Sequence, residues 1–140
     1  MITIERMAEI QTAEELAQIR QLYLTAGWID AKEEDTEELI RKIIKQTYCF
    51  AIAKDGDKII GMGRTISDSV SDAYIQDVTV LPSFRTQGIG GMIIGFLVDY
   101  LHSQGISWVG LISEPGYESF YQKLGFSVME KYTPFIYTGK

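Results

Sequence analysis

Val78-Thr79-Val80-Leu81-Pro82-Ser83-Phe84-Arg85-Thr86-Gln87-Gly88-Ile89-Gly90-Gly91-Met92 is the most informative run in the chain. Its β-branched start reads as the end of a strand, Pro82 breaks that strand, and three glycines open a strongly apolar segment that predicts a helix from Gly88 to about His102. The first amide N–H groups of such a helix have no intrahelical partner, and the aligned peptide dipoles add roughly half a positive charge there. Three early glycines cost a helix up to ~1 kcal/mol each relative to alanine, so something must compensate. Two readings answer: the bare backbone lets a diphosphate reach the amides, or the glycines allow close packing of helix on strand with no ligand.

Working outward, Ile2–Met7 alternates apolar and polar residues and predicts a first strand. Thr12 and Glu15 match a capping box for a first helix, whose stripe Leu16, Ile19, Leu22, Tyr23 and Ala26 ends at Gly27. Asp35 and Glu38 repeat the pattern ahead of a second helix that stops near Gln46. Strands are predicted at Tyr48–Ala53 and Ile59–Met62 around an Asp55-Gly56-Asp57 turn, and again at Ala73–Val80. After the glycine-led helix come a strand at Trp108–Ile112, a short helix at Gly116–Leu124, and two closing strands at Phe126–Met129 and Pro134–Tyr137. The order β-α-α-β-β-β-α-β-α-β-β predicts an α/β (α+β) domain: a mixed sheet of about seven strands flanked by four helices.

The 140 residues suit one domain, 1–140, and 46% hydrophobic with 23% charged residues is an ordinary globular balance. The longest apolar stretch, Ile89–Val98, is too short to cross a bilayer, and Glu5 interrupts any leader-like start, so a soluble, cytoplasmic protein with no membrane partner is expected. Thirteen basic against nineteen acidic residues give a formal charge of −6, which opposes nucleic-acid binding and favours cationic partners. A single cysteine, Cys49, and a single histidine, His102, give no cluster at metal-ligand spacing, so no metal is expected. Cys49 and Trp108, in apolar strand-like runs, are expected in the core.

Pro82-x-x-Arg85-x-x-Gly88-Ile89-Gly90-Gly91 resembles the acetyl-CoA pyrophosphate motif of the GNAT acyltransferase superfamily, matching its Arg/Gln-x-x-Gly-x-Gly pattern in full. Phe120-Tyr121-Gln122-Lys123-Leu124-Gly125-Phe126 is similar to that superfamily's second signature, and the element order is also its order. The resemblance implies transfer of an acetyl group from acetyl-CoA to a primary amine, by direct attack in a ternary complex and without a metal. It implies that amides from Thr86 and Gln87 through Gly88, Ile89, Gly90 and Gly91 hold the diphosphate, and that the backbone of Val78 and Val80 pairs with the pantetheine arm. Arg85 lies near the phosphates in that reading, or is a plain solvated side chain.

By the same resemblance the Tyr121 hydroxyl faces the thioester sulfur; its bland alternative is a core aromatic beside Phe120. Moving a proton from an ordinary phenol to a free thiolate is uphill by about 2 kcal/mol, so hydrogen-bond donation to developing charge is the expected role. Asp77 is the leading carboxylate for taking the amine's proton, against a structural or solvent-facing one. Strand alternation sets it opposite Val78. The acid-rich segment after the first helix, with Trp28, Asp30 and Glu33, is expected to meet a cationic acceptor, or else to complement the dipole of the second helix. Glu114 stands where many family members carry asparagine, which points it toward the acceptor side.

The resemblance implies a small-molecule or peptide amine as acceptor. A homodimer is consistent with the resemblance, with Pro134–Tyr137 as an edge for pairing. Two rivals stand beside transfer. A dinucleotide-binding domain fails because Ile93 occupies the place of the third glycine or alanine and the turn from Pro82 to Gly88 is too long, and with no Gly-Lys-Ser/Thr run a P-loop is excluded as well. A non-catalytic acyl-CoA-binding or regulatory module of the same fold is separated from an enzyme by turnover alone.

Overall fold

The computed structural model describes residues 1–139. Strand β1 (Ile2–Arg6) leads into helix α1 (Ala13–Ala26), which starts where the sequence predicts. Thr12 Oγ1 accepts from the Glu15 amide at 3.1 Å, and Glu15 Oε2 accepts from the Thr12 amide at 3.2 Å, closing the capping box. Gly27, at φ 79°, ends the helix in the left-handed conformation that a side chain would strain. Helix α2 (Thr36–Gln46) starts differently from expectation: Asp35 is itself left-handed at φ 60° and makes no side-chain cap. Side-chain capping needs an extended backbone to aim the carboxylate at the free amides, and Asp35 lacks it.

Strands β2 (Cys49–Asp55) and β3 (Lys58–Ser67) form the hairpin signalled by Asp55-Gly56-Asp57. Strand β4 (Asp72–Val80) follows, then a single 3-10 turn at Pro82–Phe84, helix α3 (Ile89–Ser103), strand β5 (Trp108–Leu111) and helix α4 (Glu118–Lys123). The sheet order is β1-β2-β3-β4-β5, antiparallel except for the parallel β4–β5 pair. Strand alternation splits the core in two. Phe50 and Ile52 pack with Leu16, Ile19, Leu22, Ile40 and Ile44 of α1 and α2 on one face. Ala51 and Ala53 face Ile93, Ile94 and Leu97 of α3 on the other. Gly63 of β3 brings α3 close, because a Cβ there would stand 2.7 Å from Ile93 Cγ2.

The expected seven-strand sheet is corrected to five. Phe126–Met129 and Pro134–Tyr137 join no strand pairing among the described residues. A strand persists only when a neighbour satisfies its backbone, and these segments lie off the sheet with Phe135, Ile136 and Tyr137 almost fully exposed. Cys49 is fully buried, but Trp108 is 40% exposed because β5 is an edge strand, and its ring meets Tyr74 edge-on at 5.3 Å. No helix among the described residues is long and apolar enough to cross a membrane.

Candidate active site

Two irregularities of β4 coincide. Pairing with β5 runs from Asp72↔Trp108 to Ile75↔Leu111 and stops, while β4 continues to Val80. Just there its register with β3 shifts between Met62 and Arg64, and Asp77 adopts φ 56°. The extra residue is why Ile75 and Val78, three apart, both pack toward α3. Asp77 is turned the other way, toward α1, as strand alternation from Val78 requires. A left-handed aspartate in a strand carries strain that long-range contacts must hold in place.

Two side chains, one from α1 and one from β3, supply those contacts. Tyr23 Oη donates to Asp77 Oδ2 at 2.8 Å, and Arg64 Nε donates to the same oxygen at 2.6 Å. Arg64 is itself steadied by the Thr47 hydroxyl at 3.4 Å. Burial, then the Asp77 charge and its hydrogen bond, push the Tyr23 phenol far above its ordinary value of 10.0, so it stays a neutral donor.

Beyond Ile75 and Leu111 the separating strands open a cavity of about 950 Å³. Its walls include Asp77, Val78 and Val80 from β4, Arg85, Thr86, Gly88, Ile89 and Gly90 from the loop and start of α3, and Tyr121 from α4. Trp28, just after α1, and Glu114, just after β5, also line it. The cavity side of β4 past Ile75 has no strand partner among the described residues, which leaves its backbone free for an extended amide-bearing chain.

The α3 cradle fits an anionic group. Gly88, at φ 78°, begins the helix with no side-chain cap, so the free amides of the first turn have no local acceptor. A Cβ on Gly90 would meet Phe120 Cζ at 3.3 Å, and one on Gly91 would meet Leu124 Cδ2 at 3.3 Å. Both glycines therefore also seat α4, and packing and ligand access are joint reasons for the glycine run. Arg85 Nε donates to the Val80 carbonyl at 3.0 Å, so its side chain ties the cradle loop to β4. Gln87 and Gly91 lie outside the cavity lining.

Tyr121 is half-buried, its ring 5.0 Å from Phe120 and 5.9 Å from Phe126. Burial, with the neighbouring Tyr117 and Glu114, raises its phenol above the ordinary 10.0. Asp30 and Glu33 are not on the cavity wall. Glu33 Oε1 accepts from the Asp30 amide at 2.8 Å and Asp30 Oδ1 from the Lys32 amide at 2.9 Å. With Trp28 they edge a separate shallow depression. Tyr23, Arg64, Tyr74 and Phe120 are site residues that the sequence reading misses as such. The phenol tip of Tyr23, placed in an apolar helix stripe, was the one available signal, since a buried hydroxyl needs a partner.

The profile described as "Acetyltransferase (GNAT) family" matches residues 13–126. The chain belongs to the GNAT acetyltransferase family. Enzymes of this family use acetyl-CoA. The uncharacterized N-acetyltransferase ycf52 of Pyropia yezoensis is 30% identical over 111 residues, 79% of this chain and 64% of that protein. Serotonin N-acetyltransferase 2, chloroplastic, of Oryza sativa subsp. japonica is 35% identical over 96 residues, 66% of this chain and 48% of that one. The chain thus spans less than two thirds of the length of these relatives. The solved structure of a GNAT family acetyltransferase from Streptococcus pneumoniae TIGR4 superposes with a TM-score of 0.78 at 27% identity, covering 98% of this chain and 97% of that one.

Proposed function

We propose that this GNAT enzyme moves the acetyl group of acetyl-CoA onto a small cationic primary amine by direct attack in a ternary complex. The observation that carries the reading is that one cavity brings together the amide cradle of α3, the free backbone of β4, the Tyr121 phenol and the Asp77 carboxylate. The diphosphate sits against amides from Thr86 to Gly91, helped by the helix dipole, and the pantetheine arm runs along Val78 and Val80.

The acceptor enters from the Trp28 side. Its ammonium meets Asp77, whose Oδ2 is taken by Arg64 and Tyr23, leaving Oδ1 to receive the proton. The freed amine nitrogen attacks the acetyl carbonyl carbon; the N–C bond forms, the C–S bond breaks, and the electron pair goes to sulfur. Tyr121 donates a hydrogen bond to that sulfur as charge develops, and the departing thiolate takes up the second proton, which the nitrogen loses as the amide forms. Because the raised phenol holds its proton firmly, it acts chiefly as a donor of fixed position.

Trp28, Tyr74, Tyr117 and Phe120 give the cavity aromatic walls, while Asp77 and Glu114 give it negative charge. This combination suits a primary amine carried on a flat apolar body, with the acidic segment of Asp30 and Glu33 extending the negative field beyond Trp28. The rice relative is named for serotonin, an amine of that form.

The test follows CoA thiol release from acetyl-CoA over a panel of aryl-alkyl, aliphatic and polycationic amines. Saturable, amine-dependent release is expected, strongest for the aryl-alkyl members. Tight acetyl-CoA binding with no release for any amine would overturn the reading in favour of a non-catalytic module.

A further inference from the structure

One aromatic pair on the sheet belongs to no part of the core. Ala73 and Ile75 of β4 and Val109 and Leu111 of β5 pack toward α3, so strand alternation turns Tyr74 and Trp108 to the opposite face, the one on which α1 and α2 lie. Those helices pack over β2 and β3, and no side chain of β4 or β5 joins their core. Tyr74 and Trp108 stay 45% and 40% exposed.

A glycine sets the two rings against each other. In the parallel pairing Asp72 stands opposite Trp108 and Tyr74 opposite Gly110. The indole leans along β5 over Gly110, where a Cβ would come within 2.7 Å of Trp108 Cη2, 2.8 Å of Trp108 Cζ3 and 3.4 Å of Tyr74 Cε1. From there it meets the Tyr74 ring edge-on, with centroids 5.3 Å apart and planes at 65°. Glycine inside a strand gives up packing and entropy, and close approach of the indole is what this one gains.

Tyr74 also lines the cavity, three residues before Asp77 on the same strand, whereas Trp108 does not reach the lining. At ~3.3 Å per residue, shortened by the bulge, the two are up to about 10 Å apart along β4, the span of a ring and an amine joined by a short chain. Of the other aromatic residues on the wall, Phe120 is taken up by Gly90 and Tyr121, and Trp28 and Tyr117 stand outside regular elements. Tyr74 is held on a paired strand and braced from outside the cavity, which gives its ring one orientation.

We propose that Tyr74 selects the acceptor: its ring, braced by Trp108 across Gly110, packs on the aromatic body of an arylalkylamine whose amine lies at Asp77. Trp108 is a positioning residue that acts through Tyr74. The assignment rests on an amine acceptor occupying this cavity, as acetyl transfer requires.

The test titrates the CoA-loaded protein with phenethylamine and with butylamine by NMR and, in parallel, follows thiol release from acetyl-CoA with each amine. The parent should bind the aryl amine about ten-fold more tightly, and the preference should fall to about two-fold or less in Tyr74→Ala, Trp108→Ala and Gly110→Ala but persist in Tyr74→Phe, which keeps the ring. In turnover the same change should appear in the ratio of the two KM values and not in the ratio of the two kcat values. Gly110→Ala deletes no aromatic atom, and its nearest neighbours are the far end of an indole that can swing into solvent, so it removes the brace alone. Parent-like CoA affinity and circular dichroism show that each variant is folded. A parent without the preference, an alanine variant that keeps it, or a Tyr74→Phe variant that loses it overturns the proposal. Preferential binding of the aryl amine with no thiol release counts against acetyl transfer and supports Tyr74 as the selecting residue, whereas release with both amines at equal KM supports transfer and overturns that selection.

Discussion

Arg64 holds Asp77 through an Nε–Oδ2 contact of 2.6 Å, the shortest ion pair among the described residues, with the two side chains only 17% and 20% exposed. The pair joins β3 to the bulge of β4 and pins one of the two carboxylate residues that line the cavity.

Asp77→Asn should lower kcat/KM for the amine by about 10²–10⁴ while acetyl-CoA binding, followed by calorimetry, stays within about two-fold. Arg64→Ala should reduce stability by roughly 1–3 kcal/mol in urea melts, because Asp77 and Tyr23 are left partly buried around a missing cation. Wild-type stability for Arg64→Ala would show that the ion pair does not hold the bulge.

Tyr121→Phe removes one hydroxyl from a packed ring and should lower kcat by about 10²–10³ with the acetyl-CoA dissociation constant unchanged. As the phenol lies above its ordinary 10.0, it remains protonated through the usual assay range. Any basic limb of kcat below pH 10 should accordingly survive in Tyr121→Phe. Disappearance of that limb in the variant would assign the ionisation to Tyr121 and contradict its raised value.

Gly90→Val places branched carbons where a single Cβ already comes within 3.3 Å of Phe120. It should weaken acetyl-CoA at least about ten-fold, or 1.4 kcal/mol, with the KM for amine less affected. The equilibrium dialysis of labelled cofactor measures this directly, and parent-like affinity would remove the cradle from the binding site.

Burial pushes the Cys49 thiol from 9.0 to about 11. Below pH 9 folded and unfolded chains both carry the neutral thiol, and the stabilisation is fully present. Between pH 9 and 11 the unfolded thiol ionises first, so this contribution, about 2–3 kcal/mol, is lost as pH rises. Urea melts from pH 8 to 10 should therefore show a steeper decline for the parent than for Cys49→Ala, whatever the variant's absolute stability. Parallel slopes would mean that the thiol is not shielded.

Much of the site is legible in one dimension because its parts are local. The cradle needs only Gly88, Gly90 and Gly91 at the start of one helix, and the seat of Tyr121 needs only the aromatic neighbours Phe120 and Phe126. The surroundings of Asp77 are not legible, because Tyr23 is 54 residues away and Arg64 is 13, and neither carries a local mark of that pairing. Asp35 shows the limit from the other side: its residue type suits a cap, but its backbone conformation does not allow one.

Contacts within a few residues, set by backbone preference and hydrophobic period, already lie in the order of amino acids: the capping box at Thr12, the Gly27 stop, the β2–β3 turn and the glycine-led α3. Only the folded chain decides where β4 leaves β5, which side chains close on Asp77, and whether Phe126–Met129 and Pro134–Tyr137 find partners. Strand formation and buried charge both require a second group from far along the chain. Strand propensity creates the demand for such a partner, and packing alone determines whether it is met.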